Sequence, residues 1–347
     1  MLTAPAVPLR IGIVGAGMAG LACAAQLVAN GHRVQLFDKG RGPGGRMSTR
    51  RMATPLGDAH FDHGAQYFTA RDAGFQALVA DWERRNLASR WDSSIPDAWV
   101  GNPGMNAVIN AMVAPLDVTF GLPIKGLVRD AAGWSLMTAD SSLGPFDAVL
   151  LAIPAEQAAP LLALHDLALA HQAMLARSQP CWTAMFAFAE PVVISRDVIR
   201  GPGDICWAAR NSAKPGRAGP EAWVVQASGG WSAAHIEDEA DLVAAQLLHM
   251  FAQEAATPLP DLVASSAHRW RFALSAGTGL GALWNGEIGL GACGDWLLGP
   301  RVECAWLSGR TLASVVARPT AAPLHAAVDH ASLRLGGRLA MNASTAS

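Results

Sequence analysis

Hydrophobic and polar positions change between strand-like and helix-like periods along the first forty residues. Residues 10–15 form a short β-branched run that ends in glycine, and residues 21–28 continue as an apolar segment suited to a buried helix. Gly31 ends that helix, and residues 32–37 alternate between polar and apolar side chains up to Asp38. The pattern therefore predicts a strand, a glycine turn, a helix and a second strand, which together form a right-handed βαβ unit.

The turn between this strand and this helix has the spacing of a dinucleotide-binding loop. Gly15 permits the tight turn, Gly17 lets a pyrophosphate approach the backbone, and Gly20 lets helix and strand pack closely. The first helical amides, at Met18 and Ala19, then point towards the phosphates, because the positive end of the helix dipole favours an anion. These residues form the first part of a predicted cofactor site.

An acidic residue ends the second strand at the position that a dinucleotide requires. Asp38 follows Gly20 by 18 residues, so its carboxylate can accept hydrogen bonds from the ribose hydroxyls of an adenosine. Lys39 is expected beside the same ribose. A glycine motif alone is a weak signal, but a strand, a helix and an acid in this order make the dinucleotide site a specific prediction.

Further along the chain the pattern predicts two domains. We expect an α/β fold in which a Rossmann-like domain with a parallel sheet carries a discontinuous substrate domain built on an antiparallel sheet. Strands are predicted at 117–120, 124–129, 134–138, 147–153, 181–188 and 222–228, and helices at 73–87, 236–254 and about 303–316. The predicted boundaries are 1–72, 97–156 and 272–318 for the first domain, 73–96 and 157–271 for the second, and 319–347 for a C-terminal helix and flexible tail.

Composition and charge exclude several classes of protein. Of the 347 residues, 51% are hydrophobic and 16% are charged, which is too apolar for a disordered chain. The formal net charge of −2 provides no field that would collect nucleic acid or an anionic membrane. The five cysteines form no C-x-x-C pair and have no nearby histidine at metal-ligand spacing, so we expect no metal site.

The sequence shows neither a secretory signal nor a membrane span. Residues 1–9 lack a charged region followed by an apolar one, and prolines and charged residues interrupt the most apolar stretch, 148–170. We therefore expect a cytoplasmic protein without membrane or nucleic-acid partners. The oligomeric state stays open.

Several further motifs resemble those of one family of flavoproteins. A second glycine-rich loop reads Gly44-Gly45-Arg46-Met47-Ser48-Thr49, and residues 61–68 read Phe-Asp-His-Gly-Ala-Gln-Tyr-Phe. Further landmarks lie at 100–105, 268–271, 294–296 and 301–309. This set, which extends from about residue 11 to residue 316, resembles the renalases, especially their bacterial branch, within the FAD-dependent amine oxidase superfamily.

The resemblance implies noncovalent FAD and a fold like that of the amine oxidases and p-hydroxybenzoate hydroxylase. The glycine doublet and Arg46 form a second cradle for the FAD pyrophosphate, in which the planar guanidinium binds phosphate oxygens. Gly294 and Asp295 meet the ribityl and pyrophosphate groups, and the first amides of the last helix face the flavin's pyrimidine carbonyl. The other cofactor residues that the family implies are Gly45, Met47, Gly64, Ala65, Gln66, Tyr67, Val128, Val302 and Ala305.

Residues 268–271 are the best sequence candidates for contacting a substrate. Arg269 or Arg271 is expected to bind a phosphate or carboxylate, with ordinary salt bridges as the alternative. His268 is expected to be structural, and Trp270 belongs to the same candidate pocket. Trp296 is expected either to wall the flavin pocket or to pack in the core.

The sequence shows no obvious acid–base constellation, and we assign no catalytic residue. Many amine oxidases of this fold place a lysine near the flavin, but Lys39 is expected at the ribose, Lys125 in a β-hairpin and Lys214 in a loop. A dihydropyridine donor needs no general base, because hydride loss converts it directly into an aromatic cation. In the family that the chain resembles, isomeric dihydro-NAD(P) is oxidised to NAD(P)⁺ and dioxygen is reduced to hydrogen peroxide.

Two other functions stay open at the level of sequence. The first is a flavin amine oxidase, in which tryptophan would replace one tyrosine of an aromatic cage, because the chain contains a single tyrosine. The second is a flavin-binding protein that acts through partner interaction without turnover. Reduction of the flavin by a physiological donor would separate the second from both enzymes.

Overall fold

The computed structural model describes residues 7–92, 95–317 and 326–327. In chain order the strands are β1 (Arg10–Val14), β2 (Arg33–Phe37), β3 (Thr49–Thr54), β4 (Gly57–Asp62), β5 (Ala88–Arg90), β6 (Trp99–Gly101), β7 (Asp117–Thr119), β8 (Gly126–Asp130), β9 (Gly133–Met137), β10 (Ser142–Phe146), β11 (Ala148–Leu151), β12 (Ser178–Phe188), β13 (Val198–Arg200), β14 (Ile205–Arg210), β15 (Glu221–Ala227), β16 (Leu262–Ser275), β17 (Leu280–Asn285), β18 (Leu290–Ala292) and β19 (Ala326–Ala327). The helices are α1 (Met18–Ala29), α2 (Ala73–Arg84), α3 (Ala107–Val113), α4 (Ala155–Ala163), α5 (Leu167–Leu175), α6 (Gly229–Ala234), α7 (Ala240–Ala255) and α8 (Val302–Val316).

The predicted βαβ unit is confirmed at the centre of a seven-stranded sheet. Strand β1 pairs in parallel with β2 on one side and with β11 on the other, so Ile13 lies opposite both Leu36 and Leu150. The strand order is β19-β17-β18-β11-β1-β2-β7. This arrangement places the glycine turn after β1 and the acid after β2 at the same edge of the sheet, as the sequence predicted.

Helices cover both faces of this sheet. On one face α1 packs against α8, and Gly309 permits their close approach, because a Cβ there would lie 2.1 Å from the carbonyl oxygen of Ala19. On the other face, Leu162 of α4 and Leu169 of α5 share a buried cluster with Leu151 of β11. The apolar sides of α4 and α5 are thus covered by the nucleotide-binding half, although the sequence boundary assigned residues 157–175 to the substrate domain.

The second half of the molecule is a five-stranded antiparallel sheet with the order β13-β14-β15-β12-β16. Its outer face packs on α7, where Phe251 contacts Phe186 and Trp223. Alternate side chains point the other way, and Met185 packs with Phe61 of the β3–β4 hairpin. Because side chains alternate along a strand, one face is structural and the other is turned towards the nucleotide-binding half.

Some elements differ from the sequence prediction. The β3–β4 hairpin, α3 and β10 were not predicted, and the helix expected at 236–254 begins at Ala240, after the separate short helix α6. Residues 326–327 form a strand against β17, whereas the rest of the expected C-terminal helix and tail lies outside the described residues. In the described ranges, no helix combines the length and the apolar character needed to cross a membrane.

Candidate functional site

The glycine turn after β1 has the geometry that its spacing predicts. Gly15 adopts a φ of +106°, and a Cβ at Gly20 would lie 2.0 Å from the carbonyl oxygen of Gly15, so helix and strand touch through their backbones. A Cβ at Gly17 would meet no atom within 4 Å. Helix α1 begins after Gly17 without a side-chain cap, which leaves its first turn free to bind a phosphate.

The carboxylate of Asp38 is fixed at the end of β2 by two backbone amides. Its Oδ2 accepts a hydrogen bond from Ala16 N and its Oδ1 accepts one from Gly40 N, both at 2.7 Å. The adjacent Lys39 donates to Gln157 Oε1 at 3.1 Å. Asp38 is therefore oriented beside the glycine turn, where each oxygen keeps lone pairs for the ribose hydroxyls of an adenosine.

The second glycine-rich loop brings together two residues that the sequence assigned to the cofactor separately. Arg46 forms a bidentate ion pair with Asp295 at 2.7 and 2.6 Å, and it also donates to the carbonyl oxygen of Ala273 at 3.0 Å. Gly45 has a φ of +52° and open space at its Cβ position. The loop therefore offers an uncovered backbone beside a guanidinium whose side chain is still 36% exposed.

Residues 64–67 lie directly against this loop. A Cβ at Gly64 would lie 2.1 Å from the carbonyl oxygen of Arg46, and Ala65 N donates to that same oxygen at 2.7 Å. The Gln66 side chain donates to the carbonyl oxygen of Gly64 at 3.2 Å and accepts a hydrogen bond from Lys214 Nζ at 3.2 Å. Gln66 is thus held inside the protein by its side chain, and only its backbone is left to meet a cofactor.

A buried cluster of three charged residues packs beside residues 64–67. Asp62 is paired with Lys214 at 3.3 Å and with Arg217 through a short contact, and it also accepts a hydrogen bond from Met105 N at 2.9 Å. Burial alone would raise the pKa of Asp62, but the two cations lower it to about 2. Lys214 lies in a loop, as the sequence predicted, but this loop brings its ammonium group into contact with Gln66.

For Lys214, burial has a larger effect on the pKa than the neighbouring charges do. Burial lowers it to about 8, and the adjacent carboxylate of Asp62 offsets only part of that effect. The side chain also lies over the ring of Trp91, with Nζ 5.3 Å from the ring centroid. The three-residue cluster is buried with a net charge of +1 while Lys214 is protonated.

Three aromatic side chains meet where β16 crosses the loop that contains His63. The imidazole of His63 lies 5.0 Å from that of His268 and stacks on Trp270 at 5.2 Å between ring centroids. Trp270 Nε1 also donates to the carbonyl oxygen of His63 at 2.8 Å. Burial, followed by the nearby charge of Arg50, lowers the pKa of His268 to about 4.

His63 is neutral at neutral pH for the same reasons. Its pKa is lowered to about 4, first by burial and then by His268 and Arg50. Below both pKa values the two histidines would become cations packed ring to ring. We therefore describe His63, His268 and Trp270 as a neutral aromatic cluster on the inner face of the antiparallel sheet.

Other residues of that inner face continue the same surface. Gln226 pairs in register with Thr183 and donates to the carbonyl oxygen of Gly64 at 2.9 Å. Trp207 stacks on Tyr67 with the ring centroids 5.7 Å apart. The antiparallel sheet thus forms a roof over the predicted cofactor segment, and alternate residues of β12, β14, β15 and β16 line it.

The remaining sequence candidates lie on the opposite face of this sheet or on other elements, and the contact between Val128 and the adenine stays a prediction. Arg269 and Arg271 point to the opposite face of the sheet and share the carboxylate of Glu237 at 3.1 and 2.7 Å, which is the salt-bridge alternative. Trp296 is buried in the core, where its Nε1 donates to the carbonyl oxygen of Ile153 at 3.1 Å. Val128 lies on β8 with 47% of its surface exposed, in the three-stranded sheet β10-β9-β8.

Helix α8 begins beside the second cradle, where the sequence placed Val302 and Ala305. Its N-cap residue, Arg301, makes no side-chain cap. Glu303 is buried in the first turn, and its Oε1 accepts hydrogen bonds from Arg71 N and Asp72 N at 2.6 Å. The start of α8 is therefore anchored to the start of α2, and its own amides carry no side-chain cap.

Sequence reasoning missed several residues that the structure brings to this site: Arg50, Asp62, His63, Arg200, Trp207, Lys214, Gln226 and Glu303. Asp62 and His63 had a usable signal, because they immediately precede the glycine of the quoted 61–68 motif, and Glu303 lies within the quoted 301–309 landmark. Strand pairing places Arg200, Trp207 and Gln226 in the roof, whereas Arg50 lies on the β3–β4 hairpin, Lys214 in a loop and Glu303 in α8. In the described part of the chain, no group of three or more His, Cys, Asp or Glu side chains is arranged to hold a metal ion.

The two glycine loops together fit FAD on this structure's own geometry. Open Cβ positions at Gly17 and Gly45 leave the backbone of each loop accessible to the phosphates of FAD. Asp38 would hold the ribose, and Arg46 would bind phosphate oxygens.

Comparison with known proteins agrees with this geometry. Residues 94–282 match the family model described as flavin-containing amine oxidoreductase, and residues 13–82 match that of an NAD(P)-binding Rossmann-like domain. A 40-residue segment is 55% identical to a 4,4'-diapophytoene desaturase of Staphylococcus haemolyticus. That segment covers 12% of this chain and only 8% of the desaturase.

Solved structures share the fold at low sequence identity. A protoporphyrinogen oxidase-like protein from an Exiguobacterium species superposes with a TM-score of 0.70 and 13% identity, over 90% of this chain and 99% of the other. The cyclohexylamine oxidase of Brevibacterium oxydans gives a TM-score of 0.68 and 10% identity, with the same coverage. A putrescine oxidase gives 0.64 and 12% identity, over 90% of this chain and 100% of the other.

Proposed function

Because the chain belongs to the flavin-containing amine oxidoreductase family, we propose that it is an FAD-dependent oxidase whose donor is isomeric dihydro-NAD(P). FAD is bound noncovalently, and it supplies the two-electron acceptor for the donor's hydride. The overall reaction converts dihydro-NAD(P), one proton and dioxygen into NAD(P)⁺ and hydrogen peroxide. Membership of the family supports FAD as the cofactor and oxidation as the reaction class, whereas the identity of the donor is our own proposal.

The charge of the site supports this donor. Arg50 donates to Ser266 Oγ at 3.1 Å and Arg200 donates to Tyr67 Oη at 3.1 Å, and in the described residues neither is paired with a carboxylate. The nearest carboxylates are already neutralised, since Asp62 pairs with Lys214 and Arg217, and Asp295 pairs with Arg46. An anionic dinucleotide therefore meets two arginines that no carboxylate neutralises, whereas a protonated amine meets no unpaired carboxylate among the described residues of the site.

The arrangement of the aromatic residues also favours a dihydronicotinamide donor over an amine. Tyr67 and Trp207 are in direct stacked contact at 5.7 Å, with an interplanar angle of 28°, so no amine fits between the two rings. The neutral cluster of His63, His268 and Trp270 offers flat, uncharged surfaces against which a dihydronicotinamide ring can lie. These side chains orient the donor and exclude water, and no residue has to remove a proton from it.

The test is anaerobic bleaching of the purified holoenzyme by a panel of donors. We expect isomeric dihydro-NAD(P) to reduce the flavin rapidly, the ordinary 4-dihydro form more slowly, and simple monoamines not at all. The rate with the isomers should depend little on pH between 6 and 8, because His63 and His268 stay neutral above their pKa of about 4. Failure of every dihydronicotinamide to reduce the flavin would overturn the proposal.

Amine oxidation is the second candidate, and the position of Lys214 favours it. A lysine near the flavin is common among amine oxidases of this fold, and Lys214 contacts Gln66 at 3.2 Å. An amine must lose its ammonium proton before oxidation, so the rate of reduction should rise steeply towards the pKa of the amine. Fast bleaching by an amine with that pH dependence, and no response to the isomers, would establish this function instead.

A further inference from the structure

Arg200 is an exposed guanidinium held in a fixed position at the rim of the roof. It ends strand β13, and its guanidinium carbon lies 4.7 Å from the ring centroid of Trp207 and 5.9 Å from that of Tyr67. One nitrogen donates to Tyr67 Oη at 3.1 Å. Two rings and a hydroxyl group thus orient the side chain, although it is open to solvent.

Its hydrogen-bonding capacity is largely unused. A guanidinium carries five N–H donors, and the hydrogen bond to Tyr67 takes one of them. Neighbouring arginines are committed to carboxylates: Arg210 to Asp197 at 3.2 Å and Arg90 to Asp97 at 3.2 Å. Among the described residues, no carboxylate pairs with Arg200.

The position of Arg200 relates it to the cofactor segment. Trp207 lies opposite Gln226 in the β14–β15 register, and Gln226 donates to the carbonyl oxygen of Gly64 at 2.9 Å. Tyr67 belongs to that same segment, so only the side chain of Tyr67 lies between Arg200 and the backbone of the segment. A single ligand could therefore place an anionic group at Arg200 and a ring under the roof.

We propose that Arg200 binds the pyrophosphate of the dinucleotide donor while the dihydronicotinamide lies beneath the roof. This inference rests on the proposed function and names the residue that selects a dinucleotide over smaller donors. A planar guanidinium binds phosphate oxygens in pairs, and here it lies 4.7 Å from the ring centroid of Trp207. Arg269 and Arg271, which the sequence suggested for this role, instead share Glu237 on the far face of the sheet.

The test compares three donors that carry the same ring and differ in phosphate. These are isomeric dihydro-NAD, the corresponding dihydronicotinamide mononucleotide, and a phosphate-free N-alkyl dihydronicotinamide. In the holoenzyme, Arg200→Gln should raise the KM for the dinucleotide by about tenfold or more, with a smaller change in kcat, since a charge-assisted hydrogen bond is lost. The mononucleotide should be affected less, and the N-alkyl compound not at all.

Matched variants separate binding from structure. Arg200→Lys keeps the charge but loses the planar fork, so it should recover part of the loss. Arg196→Gln is the control, because Arg196 is also exposed beside β13 and, within the described ranges, donates only to the carbonyl oxygen of Glu254 at 3.3 Å. Neither Arg200→Gln nor Arg196→Gln should change the dissociation constant of FAD or the melting temperature by more than the scatter between preparations.

A direct binding measurement keeps the two proposals distinguishable. Equilibrium dialysis measures the binding of NAD⁺ to the oxidised holoenzyme without turnover. The dissociation constant of NAD⁺ should rise in Arg200→Gln by the same factor as the KM for the dinucleotide. If the wild type binds NAD⁺ through Arg200 but oxidises no dihydronicotinamide, the proposed function fails and the pyrophosphate site stands. An equal loss with the phosphate-free donor, or no change with the dinucleotide, overturns the role of Arg200. A wild type that neither binds NAD⁺ nor oxidises the donors overturns both.

Discussion

Gly17 and Gly20 lie in the same turn, but a side chain at each would meet different surroundings. The Cβ position of Gly17 is open, whereas that of Gly20 lies 2.0 Å from the carbonyl oxygen of Gly15. Gly20 therefore permits the close packing of α1 against β1, whereas the open position at Gly17 is where we expect the pyrophosphate to approach.

This difference predicts opposite phenotypes for two substitutions. Gly17→Val should fold normally, with an unfolding free energy within about 0.5 kcal/mol of the wild-type apoprotein, and should bind no measurable FAD. Gly20→Ala should cost about 1–3 kcal/mol in the apoprotein itself, because the helix must move away from the strand. Urea denaturation of both apoproteins and FAD titration by fluorescence measure the two effects. Normal FAD affinity in Gly17→Val would contradict the assignment of this turn.

Lys214 is the residue at which the sequence and the structure disagree most. A lysine in a Gly/Pro loop is usually solvated, yet this one is buried against Asp62 and Gln66. The folded state binds the lysine's proton less tightly than the unfolded chain does, because burial lowers the pKa from 10.5 to about 8.

The stability of the protein should therefore depend on pH in the alkaline range. Between pH 8 and pH 10.5 the unfolded chain holds the proton and the folded chain has lost it, so the unfolding free energy rises with pH. Relative to Lys214→Met, the wild type should gain on the order of 3 kcal/mol at most across this range. Urea denaturation at several pH values measures the difference. Lys125→Met, at an exposed position, is the control and should track the wild type, and parallel curves for Lys214→Met would refute the prediction.

At the scale of elements, the start of α8 depends on one buried carboxylate. Glu303 accepts hydrogen bonds from Arg71 N and Asp72 N, and Asp72 in turn caps α2 by accepting from Gly74 N and Phe75 N. One side chain thus joins the first turns of two helices that belong to distant parts of the chain.

Removing this carboxylate should loosen both helix starts. Glu303→Ala leaves two backbone N–H groups without an acceptor, at about 1–3 kcal/mol each. Glu303→Gln keeps an oxygen at the same place, so we expect a clearly smaller loss. The urea midpoint of each variant provides the comparison, with the exposed Glu287→Ala as a control near the wild-type value. Equal losses in the Ala and Gln variants would show that the acceptor oxygen is not what matters.

The whole molecule consists of two halves held together around the predicted cofactor. Trp270 and Gln226 of the antiparallel sheet donate to the carbonyl oxygens of His63 and Gly64, and Lys214 pairs with Asp62 across the same boundary. These polar contacts are buried or half-buried, so separating the halves would leave polar groups without partners. We therefore expect the halves to unfold together.

FAD should stabilise the molecule as one unit. At a free FAD concentration one hundred times its dissociation constant, the unfolding free energy should rise by about 2.7 kcal/mol in a single transition. Differential scanning calorimetry with and without FAD measures this shift, and Gly17→Val is the matched control that should show none. Two separate transitions, of which only one responds to FAD, would show that the halves are independent.

The sequence by itself determined the βαβ unit at the start of the nucleotide-binding half and the two glycine-rich loops. The βαβ unit, the position of Asp38 and the glycine doublet all follow from local rules, since a tight turn, a close backbone approach and a strand end each leave a mark within a few residues. Arg46 and Asp295 were also found separately, each from its own motif, and the structure joins them at 2.6 Å.

The antiparallel sheet was predicted, but only the tertiary structure decided which side chains line the roof and which partners its charges meet. Arg200, Trp207 and Gln226 acquire their positions through the pairing of β13, β14, β15 and β12, and Arg50 acquires its position through a hydrogen bond to Ser266 of the distant strand β16. Arg269 and His268 are neighbours in the chain, but they point to opposite faces of β16 because side chains alternate along a strand. Lys214 likewise became a buried partner of Asp62 through long-range packing. Which side of a strand faces the site, and which charge meets a partner, depends on strand register and burial, and no local pattern in the sequence records either.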